Sequence, residues 1–124
     1  MLHILLVTAR EDRVQAFIEG LTREPEAQLD LTTSGSQALE MVRRACPDLV
    51  IVDSTSEKLD PLEVVRNIIG VNAMANTAVV SPLTEEEFHD KYEGLGILCR
   101  LPEEPGANEA KSMLQKLRKL MGIN

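Results

Sequence analysis

Aromatic side chains are almost absent from this sequence, which has no tryptophan, two phenylalanines and one tyrosine among 124 residues. A hydrophobic core must therefore be aliphatic, and a hydrophobic content of 44% is enough to build one. Cysteine is nearly as scarce. Cys46 and Cys99 lie far apart, with neither a C-x-x-C pair nor a metal-ligand spacing, so we interpret both as buried, small hydrophobic residues.

Long apolar runs and an excess of positive charge are also missing. No run approaches the roughly 20 apolar residues that a helix needs to cross a bilayer. Residues 1–4 lack the basic region and apolar stretch of a signal peptide, so we expect a cytoplasmic protein. The formal net charge of −7 makes nucleic acid and anionic membranes unfavourable partners.

The positive charge that is present collects near the C-terminus. We interpret it as favourable charge at the end of a helix, where the helix dipole stabilises cations. The residues concerned are Lys111, Lys116, Arg118 and Lys119.

Five apolar strand patterns alternate with five helical patterns along the chain. Such alternation with short connections predicts a doubly wound α/β fold, in which a five-stranded parallel sheet is flanked by five helices. We expect a single domain over residues 1–124. The strands are predicted over residues 4–7, 28–33, 47–53, 78–81 and 97–101, and the last helix begins at Ala107 or Asn108 and ends at Gly122.

Two of the helix starts carry strong local signals. Asp60 followed by Pro61 is typical of an N-cap and a first helical residue, and Glu63 has the spacing of a capping box. Thr84 and Glu87 repeat that spacing before another helix. The segment before the first of these helices, residues 54–60, is polar and is predicted to form a loop.

The third predicted strand ends in an aspartate, Asp53. Its four consecutive apolar residues, flanked by acids, are typical of a central parallel strand that is buried on both faces. Ligand sites in open parallel sheets lie just beyond the carboxyl ends of the strands, so a carboxylate here marks a candidate site. The strand end expected beside it, residues 7–9, carries no acid.

Several sequence segments, taken in their order along the chain, resemble the response-regulator receiver domain of two-component signalling. Together they span essentially the whole chain. Residues 34–39 are similar to the family's opening of the second helix, residues 47–53 to its phosphoacceptor strand, and residues 59–63 to the segment that follows. Gly94 and Pro102 keep the family's separation of a glycine and a proline. The resemblance implies a flavodoxin-like strand order, 2-1-3-4-5, and a role in phosphorelay signal transduction.

Two functional positions of that family are matched by suitable residues. The resemblance makes Asp53 the candidate phosphoacceptor and Ser81 the candidate switch hydroxyl. Ser81 precedes a proline, so the simpler interpretation is a turn residue. The resemblance also implies a cis peptide bond before Pro102, as in the turn after the fifth strand of the family.

The other functional positions are lost. The two acids that hold Mg²⁺ after the first strand are replaced by Thr8 and Ala9, the lysine before the proline by Leu101, and the aromatic switch residue by Leu98. Mg²⁺ prefers several hard oxygen ligands, and Asp53 alone would hold it weakly. Phosphoryl transfer also needs positive charge at the site, so we expect it to be impaired.

Neighbouring charged residues leave alternatives open. Glu11 and Asp12 could reach the site as unusual metal ligands, or could simply be acids in the first turn of a helix. Arg10 could pair with Asp53 and lock the site without phosphate. Asp53 could instead accept hydrogen bonds from loop amides as a structural residue.

These observations predict a pseudo-receiver that acts through protein–protein interaction and is not an enzyme. Its partners would be a sensor histidine kinase or an output protein, with a homodimer as a further expectation. The predicted interaction surface includes Phe88, Tyr92 and Leu98. The alternatives are a phosphorylatable receiver with unusual metal ligands and a flavin-binding or other small-ligand α/β domain, for which the expected glycine- and hydroxyl-rich phosphate loop after the first strand is missing.

Overall fold

The computed structural model of the chain describes residues 2–25, 27–53 and 60–123. Most of the loop predicted over residues 54–60, and Leu59 of the family-like segment, lie outside the described residues. The strands are β1 (Leu2–Val7), β2 (Ala27–Thr32), β3 (Leu49–Asp53), β4 (Thr77–Val80) and β5 (Cys99–Leu101); the helices are α1 (Gln15–Thr22), α2 (Gly35–Arg44), α3 (Pro61–Val71), α4 (Glu85–Lys91) and α5 (Ala107–Met121), and a 3-10 helix spans Glu11–Val14.

The five strands form one parallel sheet in the order β2-β1-β3-β4-β5, which confirms the predicted fold class. All five residues of β3 are buried, as expected for a central strand with helices on both faces. The register places Val7 beside Val52 and Asp53 beside Val80. The carboxyl ends of β1, β3 and β4 therefore meet at one edge, and the residues that follow them are brought together.

Two aliphatic cores lie on the two faces of the sheet. α1 and α5 cover one face, and α2, α3 and α4 cover the other. The first core includes Ile4, Leu6, Phe17, Leu21, Ile51, Met113, Leu114 and Leu117, and the second includes Leu5, Val7, Ala38, Val50, Val52, Val65, Ile68 and Val79.

α1 and α5 approach each other at bare backbone. A Cβ atom at Gly20 would lie 2.9 Å from Cα of Ala107 and 3.0 Å from Cβ of Ala110. Real Cβ atoms do not come so close to other heavy atoms, so a glycine is needed at this crossing.

The predicted helix ends are largely confirmed. Asp60 caps α3 by accepting a hydrogen bond from the Glu63 amide, and Thr84 and Glu87 form a complete capping box at α4. Gly122 ends α5 in the left-handed conformation, with φ of 73°. No helix of the described residues is long and apolar enough to cross a membrane.

One cysteine does not lie where the sequence suggested. Cys46 is exposed, whereas Cys99 is half-buried against the first core. Cys46 follows the C-cap of α2, Ala45, in the connection that leaves the helix before β3 begins. The prediction of a buried Cys46 is therefore wrong.

Candidate functional site

The carboxylate of Asp53 lies fully buried at the carboxyl end of β3. Thr8, the first residue after β1, is held by a 2.9 Å hydrogen bond from its amide to the Thr32 carbonyl. Its hydroxyl donates a hydrogen bond of 2.7 Å to Oδ2 of Asp53. The sequence marked Thr8 as a lost acid; in the structure it is a direct hydrogen-bond donor to the candidate phosphoacceptor.

The guanidinium of Arg10 binds both oxygens of the same carboxylate. Its Nε donates to Oδ2 of Asp53 at 2.9 Å, and its Nη2 donates to Oδ1 at 3.2 Å. The backbone amide of Arg10 also donates to the Thr8 hydroxyl at 2.9 Å, which fixes the turn that carries the side chain. A planar guanidinium matches a carboxylate in this two-bond geometry. The hypothesis of an Arg10–Asp53 pair is confirmed.

Arg10 also joins the site to the β5–α5 connection. Its Nη2 donates a 2.8 Å hydrogen bond to the backbone carbonyl of Glu103. A second arginine from the same segment, Arg13, pairs with the carboxylate of Glu104 at 3.1 Å, in an exposed position. The segment after β1 is thus tied to the segment after β5 across the edge where Asp53 lies.

The residues present do not fit a Mg²⁺ site. Thr8 and Ala9 supply no carboxylate, and the cation already bound to Asp53 is a side chain of the protein. Glu11 and Asp12 lie exposed in the first turn of the 3-10 helix, where acids favour the helix terminus. Within residues 2–25, 27–53 and 60–123, no three histidine, cysteine or acidic side chains are grouped so that they could hold a metal ion.

Ser81 lies at the end of β4 as a well-bonded turn residue. It is 1% exposed, its amide donates to the Leu101 carbonyl at 2.9 Å, and its hydroxyl accepts from the Leu83 amide at 3.2 Å. Its carbonyl accepts from Nη1 of Arg100 at 3.1 Å. These contacts agree with the simpler interpretation, and the role of Ser81 as a switch hydroxyl stays a prediction.

One feature implied by the resemblance, a cis peptide bond before Pro102, is contradicted. The peptide bond before Pro102 is trans. A trans bond is the ordinary preference of an X-Pro peptide, by about 0.5–1 kcal/mol, and Leu101 makes its backbone contact with Ser81 in that conformation. The prediction of a cis bond is therefore wrong.

Phe88 and Tyr92, which were predicted to belong to an interaction surface, are buried in this structure. They are 6% and 4% exposed and belong to the second core, where their rings stack with centroids 4.4 Å apart. The spacing i and i+4 places both rings on one face of α4, and that face packs on the sheet. Burial, with a smaller contribution from the negative charge of Asp60, raises the pKa of Tyr92 to about 12. Leu98 is half-buried against the first core.

Several solved structures with the same architecture are response regulators or signal receiver domains. A response regulator from Thermotoga maritima is 16% identical, with a TM-score of 0.81 and coverage of 96% of this chain and 98% of that chain. The signal receiver domain of an HD domain-containing protein from Pseudomonas fluorescens Pf-5 is 20% identical, with a TM-score of 0.80 and coverage of 97% and 88%. At such identities the likeness shows the fold alone, and it confirms the receiver-domain fold.

A third structure with this fold is the N-terminal domain of an uncharacterised protein from Wolinella succinogenes. It is 23% identical, with a TM-score of 0.78 and coverage of 98% of this chain and 97% of that chain. The chain belongs to the family described as PDE8A-like, N-terminal domain, whose sequence model matches residues 1–104. A comparison with curated proteins finds no match.

Proposed function

We propose that residues 1–124 form one receiver-like signalling module that acts by binding other proteins and not by catalysis. In this proposal the charge of Asp53 is neutralised permanently by Arg10, and the module is held in one state without Mg²⁺-dependent phosphorylation. It would act in the cytoplasm, with a sensor histidine kinase, an output protein or a second copy of itself as partner.

The observation that carries this proposal is the two-bond contact between Arg10 and the fully buried Asp53. Phosphorylating a carboxylate brings a highly charged donor to an anion, so a metal ion and a cation must neutralise the developing charge. At this site the anion is shielded by a side chain that also bonds to the Glu103 carbonyl. A phosphoryl donor would have to displace that side chain without acids to recruit Mg²⁺.

No observation favours the alternatives as strongly. A phosphorylatable receiver with unusual ligands would be supported by Glu11 or Asp12 turned toward Asp53, but both are exposed residues of a first helical turn. A flavin-binding domain would need a phosphate loop at the end of β1, where the chain places Thr8, Ala9 and Arg10.

A titration of the ¹H–¹⁵N spectrum with Mg²⁺ and then beryllofluoride, a mimic of phosphoaspartate, tests the proposal. The wild-type chain should show no saturable shifts at Thr8, Asp53 or Ser81. Shifts at these residues that spread into α4 and β5 would contradict it. The matched variant carries Thr8→Glu, Ala9→Asp, Arg10→Ala and Leu101→Lys, which restores the residue types of the family and should respond if its circular dichroism shows that it is folded.

A further inference from the structure

The β5–α5 connection is anchored at both ends. At its start, the Leu101 carbonyl accepts a 2.9 Å hydrogen bond from the Ser81 amide, and Leu101 is 3% exposed. At its end, Pro105 is buried shortly before α5 begins. Residues 102–105 are here called the strap, and the part of the strap before Pro105 is exposed.

The middle of the strap is bonded to the segment that follows β1. Nη2 of Arg10 donates to the Glu103 carbonyl at 2.8 Å, and Nη2 of Arg13 donates to Oε1 of Glu104 at 3.1 Å. The chain bends at Glu103 and Glu104. Within the described part of the chain no other hydrogen bond to these two residues is seen. The two arginines therefore decide where the middle of the strap lies.

One nitrogen atom connects the strap to Asp53. Nη2 of Arg10 donates both to the Glu103 carbonyl and, at 3.2 Å, to Oδ1 of Asp53, while Nε donates to Oδ2 at 2.9 Å. A guanidinium is planar and rigid, so its nitrogens move together. Movement of Arg10 away from Asp53 therefore displaces the nitrogen that binds the Glu103 carbonyl.

We propose that the strap and the Arg10–Asp53 pair form one lock, in which each holds the other in place. The charge of Asp53 holds the guanidinium, the guanidinium holds the strap, and the closed strap keeps Arg10 against Asp53. Such coupling is reciprocal, because a change that favours one state of the strap must favour the matching state of the pair. The inference rests on the proposed function, since it names the segment that the neutralised Asp53 holds in one position.

The two contacts of the strap differ in burial. The side chains of Arg10 and Asp53 are 16% and 0% exposed, whereas those of Arg13 and Glu104 are both 62% exposed. Salt screens exposed charges much more than buried ones, so added salt should loosen the outer contact and leave the inner one. The inner contact is therefore the one that couples Asp53 to the strap.

The first test follows ¹⁵N relaxation of the Glu103 and Glu104 amides in the full chain. Asp53→Asn keeps the shape of the side chain and removes the charge that holds the guanidinium. The order parameters of both amides should fall from about 0.85, the value of a rigid backbone, to below about 0.6. Arg13→Ala should lower the value at Glu104 alone. The matched control, Glu85→Gln, removes an exposed carboxylate at the same edge of the sheet and should change neither value.

The second test perturbs the strap and observes Arg10. Pro102→Gly changes an exposed residue and loosens the strap, because glycine lacks the fixed φ of proline. Hydrogen exchange of the Arg10 Nε–H, followed by its own NMR resonance, should become about two- to fivefold faster. Pro82→Gly, at an exposed proline in the β4–α4 connection, is the matched control and should leave that rate unchanged.

The proposal is overturned by a strap that is already mobile in the wild type, or by unchanged strap order parameters in Asp53→Asn. It is also overturned by equal effects of Pro102→Gly and Pro82→Gly on Arg10. If circular dichroism shows that Asp53→Asn is unfolded, the result with Pro102→Gly decides. None of these measurements uses Mg²⁺ or beryllofluoride, so a wild-type response to beryllofluoride would contradict the proposed function and leave the lock standing.

Discussion

Two places along the carboxyl edge of the sheet each carry an arginine that bonds to a carboxylate and to a backbone carbonyl. In the middle of the sheet, beyond β1 and β3, Arg10 binds Asp53 and the Glu103 carbonyl. Beside β4 and β5, Arg100 binds Glu85 at 3.1 Å and the Ser81 carbonyl. The arginines are similarly shielded, at 16% and 20% exposed, but Asp53 is 0% exposed and Glu85 is 78% exposed.

That difference in burial decides what each pair does. An exposed carboxylate keeps its water, and its ion pair adds little to stability. A buried carboxylate has lost its water, so its partner is needed to offset the desolvation cost. Because their carboxylate partners differ in burial, Arg10 is required for the stability of the fold, whereas Arg100 makes a surface contact with similar bonds.

Removing Arg10 should have the largest effect. Arg10→Ala leaves the buried Asp53 without its guanidinium, and we expect the free energy of unfolding to fall by about 3 kcal/mol. Urea denaturation followed by circular dichroism measures it. Arg13→Ala, which breaks a pair with both side chains 62% exposed, is the control and should cost less than about 1 kcal/mol. Equal losses in the two variants would remove the distinction between buried and exposed pairs.

Removing the Thr8 hydroxyl should have the next largest effect. Thr8→Val keeps the shape of the side chain but takes away the 2.7 Å hydrogen bond to Asp53. A hydrogen bond to a charged, buried group contributes about 1.5–3 kcal/mol, so a loss near 2 kcal/mol is expected in the same denaturation experiment. Adding Thr8→Val to Arg10→Ala should give a non-additive loss, because both residues contact one carboxylate. Simple addition would argue against a shared network.

Alkaline pH should weaken the second core, where Tyr92 packs. The pKa of its phenol is raised to about 12 in the folded chain, above the roughly 10 of an unfolded tyrosine. The folded state therefore holds this proton more tightly, and its contribution to stability is full below pH 10 and is lost as the pH rises toward 12. After allowance for solvent screening the loss is on the order of 1 kcal/mol.

Tyrosinate absorbance and the midpoint of urea unfolding, both followed against pH, measure this effect. Tyr92→Phe keeps the stacked ring and removes the ionisable group, so its stability should fall less over the same pH range. A wild-type phenol that titrates near 10 would show that burial does not hold this proton.

Removing Arg100 should have the smallest effect. Its carboxylate partner is exposed, so Arg100→Ala should lower the free energy of unfolding by less than about 1 kcal/mol. Raising the salt concentration should reduce this difference further, because salt screens exposed charges more than buried ones. A loss as large as that from Arg10→Ala would mean that the Ser81 carbonyl contact, and not carboxylate burial, sets the energetics.

Much of the fold could be predicted because local patterns and packing agree. The buried strand before Asp53, the caps at Asp60 and Thr84, and the stop at Gly122 all depend on residues that are close in sequence. Alternation of strands and helices then left few topologies, and the observed sheet is the expected one.

The site was harder to predict, since its contacts join distant segments. The missing acids at Thr8 and Ala9 could be read directly, and Arg10 could be named as one of several partners for Asp53. Its bond to the Glu103 carbonyl could not be predicted, because a backbone carbonyl carries no sequence signal. For Phe88 and Tyr92, helical spacing showed that they share a face but not whether that face is turned to solvent or to the sheet.

The close crossing of α1 and α5 at Gly20 has a consequence for how the molecule forms. Gly20 and its neighbours Ala107 and Ala110 are separated by most of the chain. Contacts of such long sequence separation slow folding, because much of the chain must be ordered before they form. On a translating ribosome, α1 would leave the exit tunnel early. The face of α1 that packs on α5 would stay uncovered until α5 emerged. The fifth helix is thus the one that closes the first core.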